Sequence, residues 1–367
     1  MEALADILAS TTLSPRPDSP PPVCVPFNPT GANADSIKAK LENTPRYLFR
    51  VYDEDTSGET SKECVKSLDA VEGEANHMVD AFSRTGAYAR GRVARELNEH
   101  VRWWTTTSGK NNFHSWTNSL PFAIHYAIYR TKHMARPLDQ IFLCVIDTVQ
   151  LENSGLRHGV FIKDMDLMSA YSDALHPDEE IEEIVKHVHK ATRKWDSGKY
   201  KDRRGLPNLV WFRGKRGRET GFPDLEAYNY FGEYLSQGKL EIGKASTTIS
   251  FDKIINDTLY RIEPRFMTEM VLAEESWARA TMELREPFYN LESRRPTTQV
   301  EIEAVVLIAE KFESPWRLAI AANLFAMRPR VDDQVLLDAF HNNFKGKHVL
   351  HQQKIIFLLT NFQRRKK

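Results

Sequence analysis

The sequence predicts an α+β domain followed by a small all-α domain, and three observations carry that expectation. Apolar runs of strand length, "RYLFRVYD", "QIFLCVIDT" and "NYFGEYLSQGKLEIG", stand among helical stretches between residues 45 and 265. From about residue 266 the strand signals fade and only helical spacing is left. Before residue 45 the chain is rich in Pro and Ser and reads as a disordered tail, residues 1–44. A chain of 367 residues is long enough for two or three domains, each with a core of its own.

Composition narrows the partners. Lys plus Arg and Asp plus Glu number 50 each, so no global field favours nucleic acid or a membrane surface. Cys24, Cys64 and Cys144 are odd in number, widely spaced and without metal-ligand spacing, which fits a reducing intracellular compartment, cytoplasmic or nuclear. "MEALADILAS" lacks the basic start of a leader, and "KIIFLLTNF" is far too short to span a bilayer.

The elements follow in order. "RYLFRVYD" is the first strand, with Leu48, Arg50 and Tyr52 on one face. "TGAYARGRVARELNEHVRWW" holds a helix, and a second follows "SWTNSL", capped by Thr117 or Asn118, with Ala123, Tyr126, Ala127 and Arg130 at helical spacing. "QIFLCVIDT" is a continuous apolar run, the mark of a strand covered on both faces. Residues 165–225 read as an insertion with a helix, "HPDEEIEEIVKHVHKATRKW", and a basic, aromatic-rich stretch. That stretch could grip a phosphate backbone, but a solvated loop is favoured. His187 and His189, two apart on the helix, cannot share a face as metal ligands. "NYFGEYLSQGKLEIG" reads as two strands around a Gln-Gly turn, with Phe231, Glu233 and Leu235 on one face. Residues 266–367 hold four helical segments, "QVEIEAVVLIAEKF", "PWRLAIAANLFAMRP", "DQVLLDAFHNNF" and "HQQKIIFLLTNFQ".

Glu233 places a carboxylate on an apolar strand face. Either it leans into solvent from an edge strand or it is held in a cleft for chemistry. Arg50 poses the same choice, its bland form being a packed stem with a snorkelling head. Ser115 alone could be a turn or cap residue.

Taken in chain order, Arg50 in "YLFRVY", Ser115 and Thr117 in "FHSWTNS", and Glu233 in "GEYLSQGKLEI" resemble the Arg, Ser-Thr-Ser and Glu motifs of the ADP-ribosyltransferase fold. The resemblance covers roughly residues 45–250 and implies a split-sheet domain that uses NAD as substrate without a glycine-rich fingerprint. It implies that Glu233 stabilises the oxocarbenium-like ribose and that Ser115 holds Glu233 and Arg50 in place. Arg50 would hold the phosphate or ribose side of NAD, with Thr117, Trp116 and His114 beside the dinucleotide. Trp116 could equally be core, and a strand-end histidine such as His114 is more often simply hydrogen-bonded. Trp116 stands where the family has its middle hydroxyl. Phe231 stands where arginine-modifying members have a Glu or Gln, which argues against an arginine acceptor.

The "YLFR", "SWxxSL" and "EYLxxG" elements also resemble an uncharacterised fungal family, a domain of unknown function, which brings no activity with it. The expected function is ADP-ribosyl transfer from NAD to a macromolecule, whose identity the sequence does not give, or NAD glycohydrolysis. A non-catalytic interaction module on a decayed transferase fold and a nucleic-acid binder using the basic insertion are the rival readings.

Overall fold

In the computed structural model, the described residues are 24–31, 34–102, 111–153, 159–171, 174, 233–266, 281, 284, 294–331 and 334–344. Among them the mixed α+β class holds, with nine strands in two antiparallel sheets and ten α-helices. The strands in chain order are β1 (Tyr47–Tyr52), β2 (Glu59–Thr60), β3 (Cys64–Lys66), β4 (Phe113–Thr117), β5 (Phe142–Asp147), β6 (Ile162–Lys163), β7 (Glu233–Gln237), β8 (Lys239–Glu241) and β9 (Ser246–Ser250). Six of them form one sheet in the order β6-β7-β4-β1-β5-β9, while β2, β3 and β8 form a second.

Alternation along β1 explains the layering. Directly opposed residues of an antiparallel pair share a face, so the pairs Phe49 with Thr117 and Phe49 with Val145 set one face. Phe49, Leu143 and Val145 pack there on helix α4 (Leu120–His133), through Leu120, Ala123, Ile124 and Ala127. On the same face, Phe113, Leu235 and Ile162 pack on α3 (Ala87–Arg102) and α6 (Asp164–Ala170). The other face carries Leu48, Trp116, Cys144 and Ile146, which meet Val65 and Leu240 of the small sheet. The six-stranded sheet is therefore covered on both sides, as the apolar run of β5 implies.

Several expectations change. Helix α4 is capped not by Thr117 or Asn118 but by Ser119, whose hydroxyl accepts the Phe122 N–H at 3.3 Å. β7 and β8 do not pair with each other as a hairpin. β7 lies between β4 and β6, whereas β8 joins β3. Gly238 makes the transfer between sheets. Its φ is +67°, its N–H donates to the Asn112 carbonyl at 3.0 Å, and an added Cβ would lie 2.2 Å from the His77 carbonyl oxygen.

Residues 24–31 and 34–44, expected within a disordered tail, are structured. Phe27 and, on helix α1 (Ala34–Leu41), Ile37 and Leu41 are buried against Phe82 and α3, so three apolar side chains offset a polar composition. The stretch read as an insertion from about 165 opens with α6, whose Leu167 and Met168 are fully buried. The basic residues 193–218, His187, His189, Phe231 and "HQQKIIFLLTNFQ" lie outside the described residues.

The described residues of the expected helical domain, 266–367, pack on the α+β part rather than on a core of their own. Helices α8 (Gln299–Ala309), α9 (Arg317–Phe325) and α10 (Gln334–Asn343), joined there by α7 (Asp257–Ile262) of the α+β part, share one apolar cluster with Phe49 and α4. A capping box at Thr298 and Glu301 starts α8. Glu301 is buried, and Arg328 and Arg330 bind it at 2.7 and 3.2 Å. Each charge in that cluster thus meets an opposite one.

Candidate functional site

Ser115 lies in the middle of β4, opposite Leu235 of β7, and Thr117 is opposite Glu233. All four side chains therefore share the helix-covered face, in the seam between the two helical clusters. Ser115 Oγ donates to Glu233 Oε1 at 2.9 Å, and both residues are half-buried. The two residues expected to carry the chemistry are thus in contact, although 118 positions separate them.

The resemblance would have all three side chains line one cleft, but Arg50 does not share a cleft with Ser115 and Glu233 and reaches Ser115 from the other side of the sheet. It is next to Phe49, so its stem leaves the opposite face of the sheet. Its Nη1 donates to the Ser115 carbonyl at 3.0 Å and its Nε to Thr60 Oγ1 of β2 at 3.0 Å. β1 and β4 share a single register pair, Phe49 with Thr117, and the guanidinium lies beside this narrow ladder. Arg50 is 6% exposed, and burial lowers its pKa to about 10. Among the described residues no carboxylate pairs with it.

The remaining expected cofactor residues have other contacts. Thr117 is buried and its Oγ1 accepts the Ser119 N–H at 3.0 Å, which shapes the turn into α4. Trp116 is 1% exposed on the face opposite Glu233, edge-on to Phe161, and its Nε1 donates to Ser236 Oγ at 2.9 Å. Of the two readings of Trp116, this is the core one. His114 is also on that face, with Nδ1 3.0 Å from Ser236 Oγ. Burial, then the nearby Arg50 and His100, hold its pKa well below the usual imidazole value, so it is neutral at pH 7.

One residue at the site escaped the sequence. His100, near the end of α3, places Nε2 2.8 Å from Ser115 Oγ, and its Nδ1 is 2.9 Å from Asn111 Oδ1. No motif or spacing marks it, because its approach depends on how the chain returns from α3 to β4. Among the described residues, no group of three or more His, Cys, Asp or Glu is arranged to hold a metal ion. No described helix is long and apolar enough to cross a membrane.

Residues 43–183 match a family described as a domain of unknown function (DUF7587), a span that contains Arg50, His100 and Ser115 and ends before Glu233. No curated protein and no solved structure matches the chain.

Proposed function

We propose that this site cleaves nicotinamide from NAD and passes the ADP-ribose to a macromolecule or to water. The observation that carries the reading is the contact between Ser115 and Glu233, with the buried Arg50 cation held on the Ser115 carbonyl. The bond from the ribose C1′ to the nicotinamide nitrogen breaks, and the ribose becomes oxocarbenium-like. The Glu233 carboxylate, held by Ser115, stabilises that charge and accepts a ribose hydroxyl. Arg50 is a buried cation without a described counter-ion, and a dinucleotide phosphate entering beside β1 would balance it. Trp116 and His114 have no direct part in this reading, since both are 1% exposed and bonded to Ser236 Oγ. The test is calorimetry with NAD: wild type binds, and Arg50→Lys, which keeps the charge and loses the planar fork, binds more weakly.

The burial of Arg50 favours a second reading. A guanidinium 6% exposed, and bound to Ser115 and Thr60, can be a clamp between strands in a module that binds a partner and no longer turns over NAD. Equal NAD affinity in wild type and Arg50→Lys, or none in either, supports that alternative.

A further inference from the structure

The hydrogen positions around Ser115 can be counted. Asn111 Oδ1 accepts the backbone N–H of Phe113 at 3.1 Å, which fixes this atom as the amide oxygen. His100 Nδ1, 2.9 Å from the same oxygen, must therefore carry a hydrogen. On the other side of the ring, Nε2 is 2.8 Å from Ser115 Oγ, and Oγ is 2.9 Å from Glu233 Oε1. Two such bonds need two hydrogens, and a serine hydroxyl supplies one. The second proton is on the imidazole or on the carboxyl. The ordinary values, about 6.5 for His and about 4.3 for Glu, favour the imidazole.

We infer that His100 is a positioning residue that acts as an imidazolium, donating from both ring nitrogens, so that the single proton of Ser115 is turned toward Glu233 and holds it as a carboxylate.

Among the described residues, the charged groups near the ring are mixed. Glu233 on β7 faces it through Ser115, and Asp69 on α2 (Leu68–Val71) accepts the Asn111 N–H at 2.9 Å. Glu96 on α3 is paired with Arg84 at 3.0 Å. Arg50 on β1, behind the Ser115 carbonyl, opposes a second positive charge, while His114 on β4 is neutral. The Glu233 carboxylate, one hydroxyl away from the ring, favours its charged form. When His100 loses its proton, Nε2 becomes an acceptor and competes with Glu233 for the one hydroxyl hydrogen. A serine that donated to a neutral His100, oriented by Asn111, would instead have the arrangement of a nucleophile and its base.

His100 need not be inferred from turnover. In full-length protein labelled with ¹⁵N-histidine, its ring signals are assigned by their loss in His100→Gln and followed against pH. Imidazolium shifts at both nitrogens at pH 6.5 are expected, together with a midpoint that drops by about one pH unit or more in Glu233→Gln, as loss of a neighbouring charge requires. Ser115→Ala, which breaks the link while leaving the carboxylate, should move the midpoint in the same direction. A ring that is neutral at pH 6.5, or a midpoint unmoved in both variants, overturns the inference. Any effect on nicotinamide release rests on the proposed function, whereas the titration does not. Failure to bind NAD with the titration as expected removes the proposed function alone, and a failed titration with NAD binding intact removes only the role of His100.

Discussion

Arg50 and Glu233 leave the six-stranded sheet on opposite faces, yet both end on Ser115, the guanidinium on its carbonyl at 3.0 Å and the carboxylate on its hydroxyl at 2.9 Å. One residue of β4 thus couples a buried cation to a half-buried anion across the thickness of a strand. The arrangement has a thermodynamic signature. A buried guanidinium with no counter-ion among the described residues is costly to the fold, and its two neutral hydrogen bonds offset that cost only partly.

Replacing Arg50 with Met should therefore leave the protein as stable as wild type or more so, while lowering NAD affinity. Thermal unfolding and calorimetry on the same preparation check this. A loss of stability on the order of 3 kcal/mol or more would mark Arg50 as a structural clamp instead.

Trp116 is expected to matter to the fold and not to NAD. Trp116→Phe removes the bond to Ser236 Oγ, and a buried hydrogen bond lost in this way costs about 1–2 kcal/mol. NAD affinity should stay within about twofold, a free-energy change well under 1 kcal/mol. A tenfold loss of affinity with unchanged stability would return Trp116 to the cofactor side.

Gly238 is the residue through which the chain passes from one sheet to the other. Gly238→Ala puts a Cβ 2.2 Å from the His77 carbonyl oxygen at a φ of +67°. The backbone must then shift, and a destabilisation on the order of 2 kcal/mol or more should be seen in denaturant unfolding. An effect below about 0.5 kcal/mol, the range of ordinary surface changes, would contradict the account of the transfer between β7 and β8.

Acid should weaken the fold through its buried imidazoles. Burial lowers the pKa of His125 to about 3 and holds that of His114 well below its usual value, so in both the folded state binds fewer protons than the unfolded state. Stability is therefore full above the unfolded value of about 6.5 and falls as pH drops below it, by up to about 1.4 kcal/mol per pH unit for each histidine. Urea midpoints between pH 7 and pH 5 should decline, and less steeply in His125→Phe. Equal slopes in both proteins would rule out His125 as a source of the decline.

The main strands were legible because alternation carries them, whereas the contact between Ser115 and Glu233 was expected only through the family resemblance. "YLFRVY" and "FLCVID" are strands in any context that buries both faces, and "SWTNSL" leads into α4 as its turn residues imply. What was not legible depends on long-range placement. Phe27, Ile37 and Leu41 are too few to overcome the composition of residues 1–44 on paper, but the groove beside Phe82 is where they are buried. The faces of Arg50 and Glu233 could not be compared without the register between β1 and β4. His100 carried no signal at all, since a single histidine on a helix is ordinary until the chain folds it against Ser115.

The most direct measurement of the central claim is release of nicotinamide from NAD by purified protein, alone and with cell extract as a source of acceptor, in wild type and Glu233→Gln. The variant keeps the size of the side chain and removes its charge, so folding and NAD binding should be spared. The account predicts release by wild type and a rate lower by on the order of a hundredfold or more in Glu233→Gln, the usual cost of losing one preorganised electrostatic group. No release by wild type under either condition, or equal rates in the two proteins, would contradict it.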